Sequence, residues 1–163
     1  MKNSLFICFF LCHLLLAGCD KGEGICTTDV VSRVHAGFYV RDSLGERDTL
    51  LKNFGFYGIL RPDSLIYDGV GVKKIVFPLP DVNQQPTLFA FAADTLWDTL
   101  KIFHDPMLFL VSFECGFTTH HTIHWVSHKN TIIDTIVISD PLVDLENYEN
   151  LKIYIRPSSD PGM

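Results

Sequence analysis

Short runs of alternating apolar and polar residues cover most of the chain and predict β-strands. In residues 33–41 every second position is apolar: Val34, Ala36, Phe38 and Val40. Side chains two apart share one face of a strand, so this segment is expected to be half-buried. Residues 88–92 are apolar throughout, which predicts a central strand covered on both faces. Alternation at residues 151–155 predicts a last strand.

Turn-forming residues separate the other predicted strands. Gly55 and Gly58 indicate that the strand region at 50–60 is bent or bulged. Residues 142–148 are compatible with one helical turn. Turns are expected at 43–46, 94–98 and 104–106, with a loop at 128–130. The remaining strands are predicted at 65–67, 72–79, 99–103, 109–115, 119–127 and 132–139, with Cys115 facing inward.

This pattern predicts an all-β fold. About eight to ten short strands without a convincing amphipathic helix favour an antiparallel two-sheet β-sandwich, Ig-like in architecture. A closed barrel is the alternative, but irregular hairpin spacing and Gly/Pro breaks favour open sheet edges. The sandwich is expected to span residues 26–156, followed by a disordered tail at 157–163.

The first residues follow a different pattern. Lys2 precedes an apolar run at 5–16, which is shorter than the ~20 residues of a transmembrane helix and predicts a secretory signal peptide. The sequence Leu16-Ala17-Gly18-Cys19 resembles the lipobox of bacterial lipoproteins. In those proteins the cysteine thiol carries a diacylglyceryl group and becomes the first residue after cleavage. The resemblance implies a signal peptide at 1–18, lipidation at Cys19 and a short tether at 19–25.

The lipid implies a location in the cell envelope. Two or three acyl chains anchor a protein stably, whereas one chain holds it only marginally. The membrane is therefore the first expected partner, with the outer membrane favoured over the inner one. Asp20, Lys21 and Glu23 carry mixed charges and leave the leaflet open.

Five cysteines occur in the chain. Cys8 and Cys12 leave with the signal peptide, and Cys19 is consumed by the lipid. Cys26 and Cys115 then remain in an oxidising compartment, which predicts one disulfide bond. By the loop-entropy model such a long-range bridge contributes about 4–5 kcal/mol. The alternative is two separate buried thiols.

Charge and motif content argue against several classes of function. The net charge is −6, and loss of Lys2 makes the mature chain more acidic, so no nucleic-acid partner is expected. The sequence contains no nucleophile elbow, phosphate loop or paired-carboxylate motif, so neither an enzyme nor a cofactor is predicted. Glu114 beside Cys115 would suggest a cysteine nucleophile only if the thiol were free.

A histidine-rich strand offers the main alternative function. His120, His124 and His128 are expected on one face and His121 on the other. Alternate residues lie about 7 Å apart, so at most two of them, His120 and His124 for example, share one metal ion. A third ligand would come from His104 or His35. The other interpretation is a solvent-facing strand rich in histidine and threonine.

Aromatic residues offer a possible binding face. Trp97 and Trp125, together with Tyr39, Tyr57, Tyr67 and Phe56, could bind a sugar or a peptide. The alternative for Trp97 is an indole that folds back over the end of the sandwich.

The segments that carry a second resemblance are the lipobox, Cys26, and residues 77–80, 113–117 and 150–154. Together they resemble a family of Bacteroidetes lipoproteins catalogued only as a domain of unknown function. The resemblance implies an envelope location and brings no catalytic residues. We therefore expect a lipid-anchored, non-enzymatic binding or assembly module with an envelope protein or glycan as partner. A metal-binding protein and a hydrolase without a recognisable signature are the alternatives.

Overall fold

The computed structural model describes residues 25–61, 63, 65–81 and 85–157. The predicted signal peptide, Cys19, residues 20–24 and residues 158–163 of the predicted tail lie outside the described residues. No helix among the described residues is long and apolar enough to cross a membrane.

The described residues form eleven strands, where the sequence predicts eight to ten. The additional strands are short ones: β2 replaces part of the turn predicted at 43–46, and β10 has only two residues. The strands are β1 Val34–Asp42, β2 Gly45–Asp48, β3 Leu51–Gly58, β4 Leu65–Val72, β5 Lys74–Phe77, β6 Thr87–Ala93, β7 Leu96–Ser112, β8 Gly116–Ser127, β9 Ile133–Ile138, β10 Leu142–Val143 and β11 Leu151–Ile155.

Two open sheets pack into a β-sandwich, which confirms the predicted fold class. The five-stranded sheet has the order β2-β1-β11-β9. β5 also pairs with β1, next to β2 on the edge of β1 opposite β11. The six-stranded sheet has the order β10-β8-β7-β6-β3-β4. The strand pairs are antiparallel except β1 with β11, which is parallel and pairs Phe38 with Ile153. Parallel neighbouring strands need a long connection between them. The chain that connects β1 to β11 contains all the strands of the six-stranded sheet.

Phenylalanine rings fill the space between the sheets. The rings of Phe38, Phe54 and Phe91 contact one another with centroids 5.0–5.7 Å apart. Phe56 and Phe77 extend the cluster at 4.9 Å. All five side chains are fully buried. The predicted inward face of β1 and the central position of β6 are confirmed. The predicted irregularity at 50–60 is seen as register shifts between β3 and β4.

The longest strand corrects the sequence prediction. Two strands and a turn at 104–106 are expected between residues 99 and 115, but β7 runs unbroken from Leu96 to Ser112. Pro106 is tolerated within it because β6 pairs with β7 only as far as Ile102, so that among the described residues one edge of β7 has no strand partner beyond that point. Cys115 accordingly lies in the turn after β7, half-buried, and does not face inward from a strand.

The helical turn expected at 142–148 is also wrong. Leu142 and Val143 form β10, which pairs with Thr122 and His121 of β8. Val143 is fully buried in the core, and burial of that side chain outweighs any local helical preference.

Candidate functional site

The outer face of the six-stranded sheet carries two exposed aromatic pairs. Trp97 is 54% exposed and lies against Tyr57, with ring centroids 6.3 Å apart. Trp125 is 57% exposed and packs on Phe103 at 4.9 Å. We call these four residues the aromatic face. The alternative in which Trp97 folds back under the sandwich end is wrong, because Trp97 lies within β7 and its indole is exposed.

Strand alternation explains this outward placement. Asp98, Leu100 and Ile102 of β7 are buried, so the alternate positions of the strand, which include Trp97 and Phe103, face away from the core. The two positions are separated by about 20 Å along the strand.

Small residues form the floor beside the first aromatic pair. Ala92 pairs with Gly55 on one side and Trp97 on the other, while Ala90 pairs with Tyr57. Directly paired residues lie on the same face of a sheet, so the aromatic rings stand above a row without large side chains. The result is a shallow surface suited to stacking against a flat ligand group.

The other aromatic residues that the sequence nominated do not join this face. Tyr39 lies on the five-stranded sheet and donates to Glu149 Oε1 at 2.7 Å. Tyr67 accepts a hydrogen bond at its hydroxyl from the Val76 N–H at 2.9 Å, and Phe56 is in the core. Around Tyr39, the outer face of the five-stranded sheet is largely closed by polar contacts, such as Lys152 with Glu46 at 2.7 Å.

A second exposed surface is the end of the β7–β8 hairpin. Beyond the paired residues Pro106 and His121, towards the end of the hairpin, no other strand of the described chain pairs with the outer edge of β7 or of β8. We call residues 107–120 the arm. In the strand predicted at 109–115, Phe109 and Phe113 share the inward face of Cys115, but Phe109 is exposed and Phe113, in the turn after β7, is 96% exposed. The arm's exposed apolar residues are Met107, Leu108, Phe109, Leu110, Phe113 and Phe117.

A disulfide bond joins Cys26 to Cys115 at the tip of the arm, as predicted. The bridge connects residues 89 apart, with a Cα–Cα distance of 4.8 Å. The segment after Cys26 then runs beside β8, where Ser32 Oγ donates to the Thr119 carbonyl and Thr118 Oγ1 donates to the Val30 carbonyl. The start of the described chain is therefore held against the arm.

The histidines predicted on one strand separate in the structure. His120 is buried and stacks on Phe109 with centroids 4.4 Å apart, and its Nε2 has no hydrogen-bond partner among the described residues. The exposed His124 lies 2.8 Å from Asp105 Oδ2. His35 is on β1 of the other sheet, and His128 is in the loop after β8. Within the described part of the chain, no group of three or more His, Cys, Asp or Glu side chains is placed to hold a metal ion.

The structure instead pairs His121 with His104. Their Nδ1 atoms lie 3.2 Å apart, so one ring donates and the other accepts. His104 Nε2 also contacts Thr87 Oγ1 at 2.9 Å, and the Gln85 side chain binds the backbone of His104. Burial, reinforced by the charge that His121 would carry, lowers the pKa of His104 to about 4. Burial likewise lowers the pKa of His121. Both rings are therefore neutral at pH 7.

A cleft of about 440 Å³ lies where the segment at 30–32 meets β8 and the chain near Leu79. Its titratable lining residues are His121 and Asp81, whose Nε2 and Oδ1 atoms are 3.9 Å apart. Ser32 also lines the cleft, but its hydroxyl donates to the Thr119 carbonyl. Among the described residues that line the cleft, no hydroxyl or thiol is hydrogen-bonded to His121, so they do not pair a nucleophile with a base.

Sequence reasoning missed one buried carboxylate. Asp98 falls in the turn that the sequence predicts at 94–98, yet it is buried within β7. Burial by itself would raise the pKa of Asp98, but backbone N–H groups that donate to its carboxylate outweigh that effect and lower it. The donors are Thr99, Lys129, Thr131, Ile132 and Ile133. Asp98 thus holds the β8–β9 connection in place, a structural role that local sequence does not signal.

Comparison with known proteins places most of this surface in one family. A family model described as a family of unknown function (DUF6452) matches residues 55–155. The match covers more than half of the chain and includes the aromatic face and the whole arm with Cys115. No curated protein and no solved structure matches the chain.

Proposed function

The chain belongs to the family of unknown function DUF6452, and from that premise we propose that it is a lipid-anchored lipoprotein of the cell envelope that acts as a non-enzymatic binding or assembly module. The partner is an envelope protein or a glycan. The host is a member of the Bacteroidetes, and the anchor lies in the outer membrane.

The aromatic face is the observation that carries the binding role. Two tryptophans on one rigid sheet are each more than half exposed. Aromatic side chains dominate binding energy at recognition sites, and they lose little conformational freedom when a partner covers them. Exposed tryptophans on a sheet contribute nothing to the core, so their presence favours a surface that a partner covers.

The anchor rests on the amino-terminal sequence. Cys19 follows Leu16-Ala17-Gly18, and acylation there would tether a domain that begins at Cys26. The disulfide between Cys26 and Cys115 is what an oxidising compartment outside the cytosol favours.

The binding role is tested on the aromatic face itself. A photo-crosslinking amino acid at Thr99, between the two aromatic pairs, is expected to yield a defined adduct in intact cells, whereas the same amino acid at the exposed Tyr148 is not. Purified protein should also sediment with insoluble envelope glycan if the partner is a glycan. The double change Trp97→Ala with Trp125→Ala is expected to weaken whichever interaction is found by at least about tenfold.

Tyr148→Ala is the matched control, because it removes an exposed aromatic ring away from the aromatic face. Equal binding by the double variant and the control would contradict the proposal, as would the absence of both an adduct and glycan binding.

The anchor is tested separately by mass spectrometry of the mature amino terminus. We expect a peptide that begins at Cys19 and carries thioether-linked diacylglycerol. An intact leader, or an unmodified thiol at that position, would contradict the lipoprotein assignment.

A further inference from the structure

We propose that the tip of the arm, residues 112–116, lies in the interfacial region of the bilayer that holds the lipid of Cys19. The inference rests on the proposed anchor for its distance argument. The arm lies outside the aromatic face. With its tip in the bilayer, the anchor and the arm make two contacts with the same membrane.

The composition of the arm fits a lipid surface. Residues 106–119 carry one formal charge, that of Glu114, in a chain with 20% charged residues overall. Five consecutive residues, 107–111, are apolar. Exposed apolar stretches of this kind mark sites that another apolar phase covers.

Exposure on both faces of the hairpin favours a bilayer over a protein partner. Neighbouring residues of a strand point to opposite faces, yet Leu108 and Phe109 are both exposed, as are the flanking Met107 and Leu110. A docked protein would cover one face of the hairpin. Immersion of its end in lipid covers both.

The disulfide bond places this end beside the anchor. Cys26 is covalently joined to Cys115 at the tip. Only residues 20–25 separate Cys26 from Cys19, and a fully extended chain over that stretch spans at most about 25 Å. The acyl chains of Cys19 are in the membrane, so Cys26 cannot lie further than that from the membrane surface, and the Cα of Cys115 at the tip is only 4.8 Å from that of Cys26.

Two features limit the depth of insertion. The outer edge of β7 beyond Ile102 has no strand partner in the described chain, and unpaired backbone groups are not tolerated in the hydrocarbon core. Glu114 also keeps its charge, because hydrogen bonds from its own backbone N–H and from Ser112 lower its pKa. The tip is therefore expected at the level of the headgroups and the first methylenes, within about 10 Å of the surface.

The test reads depth with a single tryptophan in the full mature protein. Trp97 and Trp125 are replaced by phenylalanine, and Phe113→Trp is introduced at the tip. The exposed Leu44, in the turn at the far end of β1 from Cys26, provides the matched position as Leu44→Trp. Both proteins are reconstituted into phosphatidylcholine vesicles containing lipids brominated in the upper acyl chain.

We expect the Phe113→Trp indole to be quenched and its emission shifted to shorter wavelength, while the Leu44→Trp indole is unaffected. Absence of quenching at the tip would overturn the proposal and leave the arm to a protein partner. Equal quenching at both positions would also overturn it, because the domain would then lie flat on the membrane.

A second measurement separates the arm from the anchor. The Cys19→Ser protein, which cannot be acylated there, is mixed with the same vesicles and its partitioning is measured with Phe113 intact and as Phe113→Ser. The serine change is expected to lower partitioning about tenfold or more, since it removes one fully exposed phenylalanine from the lipid contact. No difference between the two forms would overturn the arm proposal, whatever mass spectrometry shows at Cys19. An unmodified Cys19 together with a large difference would instead overturn the anchor alone.

Discussion

At the scale of single residues, Asp98 shows how a charge can be buried without a cationic partner. Its two carboxylate oxygens accept hydrogen bonds from Thr99 on its own strand and from the connection between β8 and β9. Hydrogen bonds to an ionised acceptor are about twice as strong as neutral ones, and several converge here. The residue therefore fixes the connection through its charge.

We expect Asp98→Asn to lower the free energy of unfolding by about 2–3 kcal/mol, because an amide retains one acceptor and directs a donor at the N–H groups. The measurement is urea unfolding at pH 7. Asp134→Asn is the control, since Asp134 is exposed and lies 3.9 Å from Arg156; it should change stability by less than about 1 kcal/mol. Equal effects of the two changes would contradict the role assigned to Asp98.

The His104–His121 pair gives the folded protein a specific sensitivity to acid. The unfolded chain takes up a proton at each histidine near the ordinary pKa of 6.5, whereas the folded chain keeps His104 neutral down to about 4. The unfolded state therefore binds more protons in this window, so the free energy of unfolding falls as the pH drops from 6.5 towards 4.

The contribution of His104 alone to that loss is expected to reach about 3 kcal/mol near pH 4, as its lowered pKa implies. Urea unfolding at a series of pH values, with the imidazole protons of His104 followed by NMR, provides the measurement. His124→Gln should leave the fall intact because His124 is exposed. A stability that stays flat between pH 6.5 and 5 would contradict neutral burial of the pair.

At the scale of elements, the β7–β8 hairpin joins most of the features described above. Its half near Trp97 and Trp125 belongs to the sandwich, while its far half leaves the sheet and ends in the disulfide. The pairing of β6 with β7 ends at Ile102. Just beyond it, the side-chain oxygen of Gln85 accepts the His104 N–H at 3.0 Å, as the carbonyl of a neighbouring strand would. The hairpin thus presents exposed tryptophans within the sheet and exposed apolar residues beyond it.

Removing the bridge by Cys26→Ser with Cys115→Ser is expected to lower the free energy of unfolding by about 4 kcal/mol, because 89 residues of chain regain their freedom in the unfolded state. Comparison of urea midpoints with and without a reductant checks this. The double variant is the control, since the reductant should leave its urea midpoint unchanged. An equal midpoint for the oxidised wild-type protein and the variant would contradict a stabilising bridge.

At the scale of the whole molecule, the surfaces are distributed along one axis. The disulfide and arm lie at one end of the sandwich, β1 leads away from that end to the turn at Leu44, and β7 begins near Trp97 and runs back to the tip. With the tip at a membrane, the first aromatic pair would project away from the surface.

The exposed arm also predicts how the protein behaves without a membrane. We expect the Cys19→Ser protein to self-associate at high concentration, and Phe113→Ser with Phe117→Ser to raise the concentration required while leaving the free energy of unfolding within about 1 kcal/mol. Analytical ultracentrifugation provides the measurement. Leu44→Ser with Leu60→Ser is the control, as both are exposed apolar residues outside the arm. Self-association that responds equally to both pairs of changes would contradict a specific apolar arm.

Local pattern was sufficient where burial follows alternation along one strand. The inward face of β1, the central place of β6 and the all-β class could be predicted because side-chain direction repeats every two residues. The pairing of Cys26 with Cys115 followed from counting thiols. Prediction failed for β7 because a proline is normally a strand breaker, and only knowledge of the neighbouring strand shows that Pro106 has a free edge.

The amino-acid sequence by itself determined the strand-forming pattern, the disulfide pair and the expectation of a lipid at Cys19, since each depends on residue type and spacing alone. Tertiary structure alone decided that Trp97 faces outward, that His121 meets His104 and that the apolar residues 107–110 are exposed. Each of these outcomes depends on which strand lies alongside, and a sequence pattern specifies the direction of a side chain without specifying what covers it.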